Sequence, residues 1–265
     1  MDKCQNPHIT APLSLALKDL VIPKLLQVAG SEQSGSPLAE QQSQLLARTC
    51  LSSPPQEIES CVLNMLGQDL GLEALFLHTI PSAARRFHDM WAADEIDFVA
   101  VTQASYRLQE LVYNLSAEFV LGGPQCGGLS NYSALLVNTP QSQHSLGLLI
   151  LSQYFKRYGW QICGDTTWRE PDMLITVQSC SIDLLGISVS DERQLGYLKK
   201  LIATLRKKSL NPDLLVMVGG SLLGTQPHLA QWLDADFSCL QADDAQLTAI
   251  RRVDEVRKQQ DKNSG

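Results

Sequence analysis

The sequence lacks the features that mark secreted, membrane-spanning and disulfide-stabilised proteins. Its longest apolar stretch, residues 9–28, contains charged residues and prolines and is not preceded by a basic region. The seven cysteines are odd in number and scattered, without the paired spacing of a zinc site. These absences predict a cytoplasmic protein with reduced thiols and without a membrane partner.

An excess of positive charge is lacking as well. The 265 residues contain 21 Lys and Arg against 28 Asp and Glu, which gives a formal net charge of -7. Direct binding to nucleic acid needs clustered Lys and Arg, so none is expected, and a role at a gene would run through a protein partner. No combination of nucleophile, base and orienting group emerges, which favours a sensor over an enzyme.

Segments rich in glycine, serine and proline divide the chain. Residues 1–36 are interpreted as an N-terminal arm and linker, whose apolar stripe either packs on the body of the protein or docks a partner. Residues 37–120 show only helical patterns and predict a helix-bundle cap domain. A glycine-rich linker is expected at 121–130, a Rossmann-like domain at 131–258 and a disordered tail at 259–265.

Hydrophobic periodicity places the elements. In the first part, helices are expected at residues 38–51, 57–66 and 70–77, from Pro81 to Trp91, and at 95–119 with Phe98 on the apolar face. In the second part, strands are expected at 132–138, 160–163, 182–190, 214–218 and 236–240, and helices include 191–208 and 243–258. The predicted fold is α/β: an N-terminal helix bundle followed by a flavodoxin-like doubly wound parallel sheet with strand order 2-1-3-4-5.

Three loops of the predicted sheet share one edge. His144 follows the first strand, Ser188 and Ser190 end the third, and Gly219 with Gly220 follow the fourth. A neutral imidazole can bind a transition metal, serine hydroxyls can hydrogen-bond a polar group, and adjacent glycines permit close approach of a bulky ligand. A solvated histidine and an ordinary strand-to-helix turn at the glycines remain alternatives.

No Cys, His or acidic residue lies near His144 at a metal-binding spacing, so any further metal ligands would belong to a cofactor. These residues resemble the cobalamin-binding domain family, whose pattern is Asp-x-His-x-x-Gly, then Ser-x-Leu, then Gly-Gly. The chain has Ser142-Gln-His144-Ser145-Leu146-Gly147, then Ser188-Val-Ser190, then Gly219-Gly220.

The resemblance implies that His144 is the lower axial cobalt ligand and that the serine and glycine motifs line the slot for the displaced nucleotide tail. Two residues depart from the family pattern. Ser142 replaces the aspartate that orients the histidine, and Ser190 replaces the leucine. Since serine supplies no charge, control of the imidazole's basicity should be weaker.

The helical half is similar to the AerR and PpaA antirepressors, relatives of the AppA haem-sensing domain, over residues 75–86, 97–102 and 107–109 and at Trp91. The related photoreceptor CarH has Glu-His at the interval after its tryptophan where this chain has Val101-Thr102. The resemblance therefore implies that Trp91, Val101 and Thr102 cap the cofactor without supplying an upper histidine. Without the family, Trp91 is more simply interpreted as a core residue.

The resemblance implies a cobalamin-binding, light-responsive transcriptional regulator, an antirepressor that binds a repressor of photosynthesis genes of the PpsR/CrtJ type. Its cofactor would be adenosyl-, methyl- or hydroxocobalamin. Two alternatives remain open: a haem-binding redox sensor on the same scaffold, and a corrinoid methyl-carrier protein.

Overall fold

The computed structural model describes residues 37–68, 70–124, 132–139, 146–163 and 169–264. Its backbone divides into two units, Met1–Gly122 and Gly123–Gly265. The arm expected at residues 1–36 and most of the linker expected at 121–130 lie outside the described residues. Within the described part, no helix is both long enough and apolar enough to span a bilayer.

The first unit is built from helices. They are α1 (Pro37–Ser52), α2 (Pro55–Gly67), α3 (Leu72–Ala74), a π-helical turn (Leu75–Thr79), α4 (Ile80–Ala92) and α5 (Phe98–Leu121). Apolar residues at helical spacing bring α1 against α2, α4 and α5. At the centre the rings of Phe76 and Phe119 stack with centroids 3.9 Å apart. The prediction of a helical N-terminal region is confirmed.

Pro81 does not begin a separate helix, as the sequence had suggested. Helical backbone continues from Leu72 through the π-helical turn into α4, and Pro81 is the second residue of α4. Proline has no N–H to donate and its ring crowds the preceding turn. A π-helical turn just before it is one of the known ways in which a helix accommodates such a disruption.

The start of α5 is fixed by a cap. The Asp97 carboxylate accepts a hydrogen bond from the Ala100 backbone N–H at 2.7 Å. The expectation that Phe98 belongs to the buried face is wrong, since Phe98 is 60% exposed and Val99 58%. The buried face of α5 begins only at Ala104, because its first turn extends beyond the layer of helices that pack around it.

The second unit alternates strands and helices. Its elements are β1 (Ser133–Asn138), α6 (Leu146–Arg157), β2 (Gln161–Cys163), α7 (Glu170–Ser179), β3 (Leu184–Ser188), a 3-10 turn (Glu192–Gln194), α8 (Leu195–Lys208), β4 (Leu215–Gly219), α9 (Ser221–Thr225), α10 (Leu229–Trp232), β5 (Phe237–Ser238) and α11 (Ala242–Ser264). All strand pairs are parallel, in the order β2-β1-β3-β4-β5. The predicted strand order and fold class are confirmed.

Two apolar layers cover the sheet. On one face α6 and α11 pack through Leu148, Phe155, Ala249 and Val253. On the other face α7 and α8 pack through buried side chains that include Val177 and Leu205. The strands are buried on both faces and therefore appear in the sequence as continuous apolar runs.

Two features of this unit differ from the sequence expectations. The last helix continues to Ser264, so residues 259–264 are helical and do not form the expected disordered tail. No glycine or proline interrupts this segment before its final residue, so the helix has no local reason to stop. The helix α7 was not among the named predictions, although Glu170 and Pro171 in its first turn are typical helix-start residues.

A polar network ties α11 to the amino edge of the sheet. The Asp183 carboxylate accepts hydrogen bonds from the Ser133 N–H at 2.8 Å, the Ser133 hydroxyl at 2.9 Å and the Arg257 guanidinium at 2.9 Å. Arg257 also lies 5.0 Å from the centre of the Tyr132 ring, and the Tyr132 hydroxyl donates to Asp254. Burial, together with the Asp254 carboxylate, raises the pKa of Tyr132 and keeps it a donor.

We expect Asp183→Ala to lower the free energy of unfolding of this unit by about 2–3 kcal/mol, because it leaves the Ser133 N–H and the Arg257 guanidinium without their shared acceptor. Asp213→Ala is the matched control, since this exposed carboxylate accepts only from the Gln260 side chain at the surface and should cost about 0.5 kcal/mol or less. Urea denaturation measures both. Equal losses would show that the network does not stabilise the unit.

Candidate functional site

Three strand ends lie in one row at the carboxyl edge of the sheet. Asn138 pairs in register with Ser188, and Ser188 with Gly219. Backbone hydrogen bonds continue past the row, from the Thr139 N–H to the Ser188 carbonyl at 3.3 Å and from the Val189 N–H to the Gly219 carbonyl at 2.8 Å. Residues 140–145, which include His144, lie outside the described residues. The register fixes Thr139, just before them, beside the serine motif, and Gly147, in the first turn of α6, lines the groove at this edge together with Ser188 and the glycines.

A groove of about 150 Å³ opens beside this row, between the sheet and the helices α6 and α11. Its walls are mostly apolar, and its polar side chains belong to Ser188, Cys239 and Gln241. The residues that line it are Gly147, Leu148, Leu151, Gly186, Ile187, Ser188, Met217, Gly219, Gly220, Cys239, Leu240, Gln241, Ala242 and Ala245. The groove can therefore bury an apolar part of a ligand while offering few hydrogen bonds.

The glycines that line the groove differ in what a side chain at each position would contact. A Cβ at Gly219 would lie 2.6 Å from the Cys239 carbonyl oxygen. Gly220 has a φ of +100°, and a Cβ there would lie 2.5 Å from the Val189 carbonyl oxygen. Both are required by the strand-to-helix turn itself. Gly147 is different, because a Cβ there would meet nothing within 4 Å among the residues that the structure describes, so this part of the groove is open with respect to them.

Two polar groups near the groove are shielded from solvent, Thr139 being buried and Cys239 half-buried. The Thr139 side chain is 2% exposed, and its Oγ1 has no hydrogen-bond partner among the residues that the structure describes. Burial raises the pKa of the Cys239 thiol, and a hydrogen bond with Thr248 opposes this shift. Cys239 therefore contributes a neutral thiol to the groove at neutral pH. Groups of three or more His, Cys, Asp or Glu side chains that could hold a metal are absent from the described part of the chain.

The structure unites some of the predicted site residues. Gly147, Ser188, Gly219 and Gly220 line the same groove. Leu146 starts α6, and Ser190 follows the row by two residues; neither lines the groove. Ser142, His144 and Ser145 lie outside the described residues.

The other predicted residues belong to the helical unit, at the corner between α4 and α5. Trp91 is in the last turn of α4 and 45% exposed, so the interpretation of Trp91 as a core residue is wrong. Val101 is half-buried and Thr102 exposed in the first turns of α5. Trp91, Phe98 and Val99 are thus large apolar side chains that are each about half exposed near the corner between α4 and α5.

Gly186, Met217 and the residues of α11 that line the groove were not predicted from the sequence. Gly186 carried a signal, since an isolated glycine within a strand often marks a close approach. A Cβ at Gly186 would lie 2.5 Å from Leu136 Cδ2 and 3.1 Å from Met217 Cε. Side chains of the two neighbouring strands therefore approach each other over this glycine, and of the two residues Met217 also lines the groove. Ala242 and Ala245 of α11 carried no comparable signal.

A larger cleft, of about 330 Å³, lies at the opposite, amino edge of the sheet. It is lined by Asp183, Asn211, Asp213, Arg257 and Gln260, among others. Its polar side chains already bond to one another: the Asp183 carboxylate pairs with Arg257, and the Asp213 carboxylate accepts from the Gln260 amide. The groove at the carboxyl edge is therefore the better candidate site, because open α/β sheets bind ligands at that edge.

Comparisons with known proteins show which families and folds the chain is similar to. The family model of the B12 binding domain matches residues 132–251. A 20.5 kDa protein in the bchF-crtJ intergenic region of Rhodobacter capsulatus is 27% identical over 165 residues, which cover 62% of this chain and 84% of the relative. The Methanosarcina barkeri monomethylamine corrinoid protein has the same fold, with a TM-score of 0.66 and 13% identity over 80% of this chain and 98% of that protein.

The family match spans the five strands and the groove described above. Residues 132–251 are therefore a B12 binding domain, and the match to the Rhodobacter capsulatus protein is consistent with a chain of the AerR and PpaA type.

Proposed function

We propose that this chain is a cobalamin-binding, light-responsive regulator that acts by binding a transcriptional repressor of the PpsR/CrtJ type. The observation that carries the proposal is the groove at the carboxyl edge of the B12 binding domain, which Gly147, three residues after His144, lines together with Ser188 and the glycines. The groove suits the apolar base of a nucleotide tail because its walls are mostly aliphatic. The open space at Gly147 and the buried hydroxyl of Thr139 fit a ligand that enters from this edge.

In this proposal each residue has a defined task. His144 supplies an imidazole nitrogen to the cobalt, and Ser188 offers a hydroxyl to the tail beside the glycine turn. Leu148, Met217 and Ala245 exclude water from the base. Trp91, Val101 and Thr102 would contact the cofactor as its cap. Bound alkylcobalamin supplies a cobalt–carbon bond that light breaks.

The exposed corner of the helical unit supports a ligand-contacting role for Trp91. Backbone hydrogen bonds from Asp94 to Trp91 and from Glu95 to Met90 fix this corner, and Asp94 has a left-handed φ of 56°. An aromatic side chain held rigidly in an exposed position loses little conformational entropy when it contacts a ligand. Trp91 is therefore suited to respond to whether a group lies against it.

Two observations support a repressor protein as the partner: the net negative charge of the chain and its similarity to the Rhodobacter capsulatus protein. The net charge of -7 makes a direct role on DNA unfavourable, so a regulator of this type would act through a protein. The name of the Rhodobacter capsulatus relative places it next to crtJ, and a CrtJ-type repressor is the partner that the family resemblance implies. A protein that binds such a repressor would change transcription without a DNA-binding motif of its own.

His144→Ala should weaken the binding of hydroxocobalamin by at least about 100-fold, because it removes a directional metal bond and not merely a residue that orients a ligand. Absorption titration measures both the affinity and the change in the visible bands when the cofactor's own base is displaced. His88→Ala is the control, since His88 is an exposed residue of α4. An unchanged spectrum and affinity in His144→Ala would refute the ligand assignment. The same spectra separate cobalamin from haem.

Gly147→Leu should fill the groove and weaken cobalamin binding by about tenfold or more, because the side chain occupies space that the nucleotide tail needs. Leucine has a higher helix propensity than glycine, so the fold of α6 should be preserved. Gly196→Leu is the matched control: Gly196 is also the second residue of a helix, and a Cβ there also meets nothing within 4 Å. Equal binding by both variants would exclude the groove as the tail site. Gly220→Leu would not be informative, because it disrupts the turn.

Illumination of adenosylcobalamin-loaded protein should change its affinity for the repressor by about tenfold, a typical magnitude of coupling between two sites. Trp91→Ala should reduce this difference, whereas Tyr113→Ala, which also truncates an exposed aromatic residue of the helical unit, should preserve it. Calorimetry in darkness and after illumination, at matched salt, measures the affinities. Identical affinities for cofactor-free, dark and illuminated protein would show that the cofactor is not the switch.

A further inference from the structure

The outer surface of α7 and α8 combines exposed apolar side chains with exposed lysines. We define this lysine face by Ile175, Tyr197, Lys200, Lys207, Lys208 and Leu210. Tyr197, Lys200 and Lys207 follow one another at helical spacing along α8, and Ile175 is on the neighbouring helix α7. The lysine face therefore extends over two packed helices.

Positive charge is concentrated on this surface. The helix α8 contains five Lys and Arg residues and no Asp or Glu. Arg206 pairs with Asp236 at 2.8 Å, and Lys199 lies 4.6 Å from the centre of the Trp232 ring. Across the ranges that the structure describes, no carboxylate forms an ion pair with the other three lysines of α8. The domain as a whole is neutral, with 14 Lys and Arg and 14 Asp and Glu in residues 132–265, so this charge is locally segregated.

The apolar residues of the lysine face are held in place. Ile175 is 61% exposed and Leu210 58%. The Leu210 N–H donates to the Val177 carbonyl at 2.8 Å, and the Tyr197 hydroxyl donates to Glu170 at 2.7 Å. Both bonds fix the exposed residue against α7. Large apolar side chains kept in water by a rigid scaffold indicate a contact surface.

This combination fits a protein better than a nucleic acid. Protein interfaces surround apolar contacts with charged groups that set orientation and association rate. A nucleic-acid footprint needs a basic domain with phosphate-binding side chains and does not need exposed isoleucine and leucine. The neutral charge balance of the domain also disfavours general attraction to phosphate.

The lysine face and the cofactor groove lie on opposite faces of the sheet. The groove is formed with α6 and α11, whereas α7 and α8 cover the other layer. A partner on the lysine face would therefore leave the groove accessible. Resting on the proposed function, we propose that the lysine face is the surface on which this chain binds its repressor, through a repressor segment that presents carboxylates beside apolar side chains.

The test uses the full-length, cobalamin-loaded chain with Lys200→Glu and Lys207→Glu combined. Repressor binding, measured by calorimetry, should weaken at least about tenfold, because two attractive charge contacts become repulsive. Wild-type binding should also weaken as salt is raised. The matched control combines Lys258→Glu and Lys262→Glu, which makes the same change of charge on the exposed side of α11 and should leave the affinity within about twofold. Circular dichroism and cobalamin titration check that both proteins fold.

Each outcome decides one question. If the wild-type chain does not bind the repressor, the proposed function fails, and the lysine face loses its partner with it. If the wild type binds and both double variants bind equally well, the proposed function stands and the lysine face is excluded as the docking surface. If the Lys200 and Lys207 variant retains repressor binding but loses binding to duplex DNA that the wild type has, the face is a nucleic-acid surface and the inference is overturned.

Discussion

Parallel register at the carboxyl edge of the sheet is the constraint on which the candidate site depends. Asn138, Ser188 and Gly219 share one row because their strands pair residue by residue from the middle of the sheet outward. A slip of one residue would turn every side chain of β3 to the opposite face. Buried apolar residues on both faces prevent such a slip. The position of Thr139, the residue after which the described part of this segment ends, beside the serine and glycine motifs is thus a consequence of core packing.

The glycines show why the same residue type can have two meanings. The sequence alone cannot distinguish a glycine that the backbone needs from one that a ligand needs, because both are the same residue. Gly220 is required by its left-handed φ and by the contact with Val189, irrespective of any ligand. Gly147 has an ordinary place in a helix and open space around its missing side chain. Only the three-dimensional neighbours assign the first to the fold and the second to the groove.

Sequence patterns predicted the fold well because burial on both faces of a parallel sheet leaves strong apolar runs, as in β1 and β3. They were less reliable where tertiary position overrides local preference. Proline at position 81 is a typical helix-start residue, yet the π-helical turn before it lets the helix continue. Phe98 has the periodicity of a core residue, yet it lies where α5 extends beyond its neighbours. In the candidate site, motif residues at strand ends were predictable, whereas the wall formed by Ala242 and Ala245 depends on how α11 returns to the sheet.

The cofactor groove and the lysine face lie on opposite faces of the sheet, and the end of β3 is adjacent to both layers. Ser188 ends β3 and lines the groove, while the next residue, Val189, is fully buried in the core beneath α8. The Val189 carbonyl also accepts a hydrogen bond from Leu222, at the start of the helix that follows the glycine turn. A displacement of the end of β3 by a ligand in the groove would therefore be felt by the packing of α8. Because close-packed cores respond as units and not by independent side chains, the end of β3 is the shortest physical connection between the cofactor groove and the lysine face.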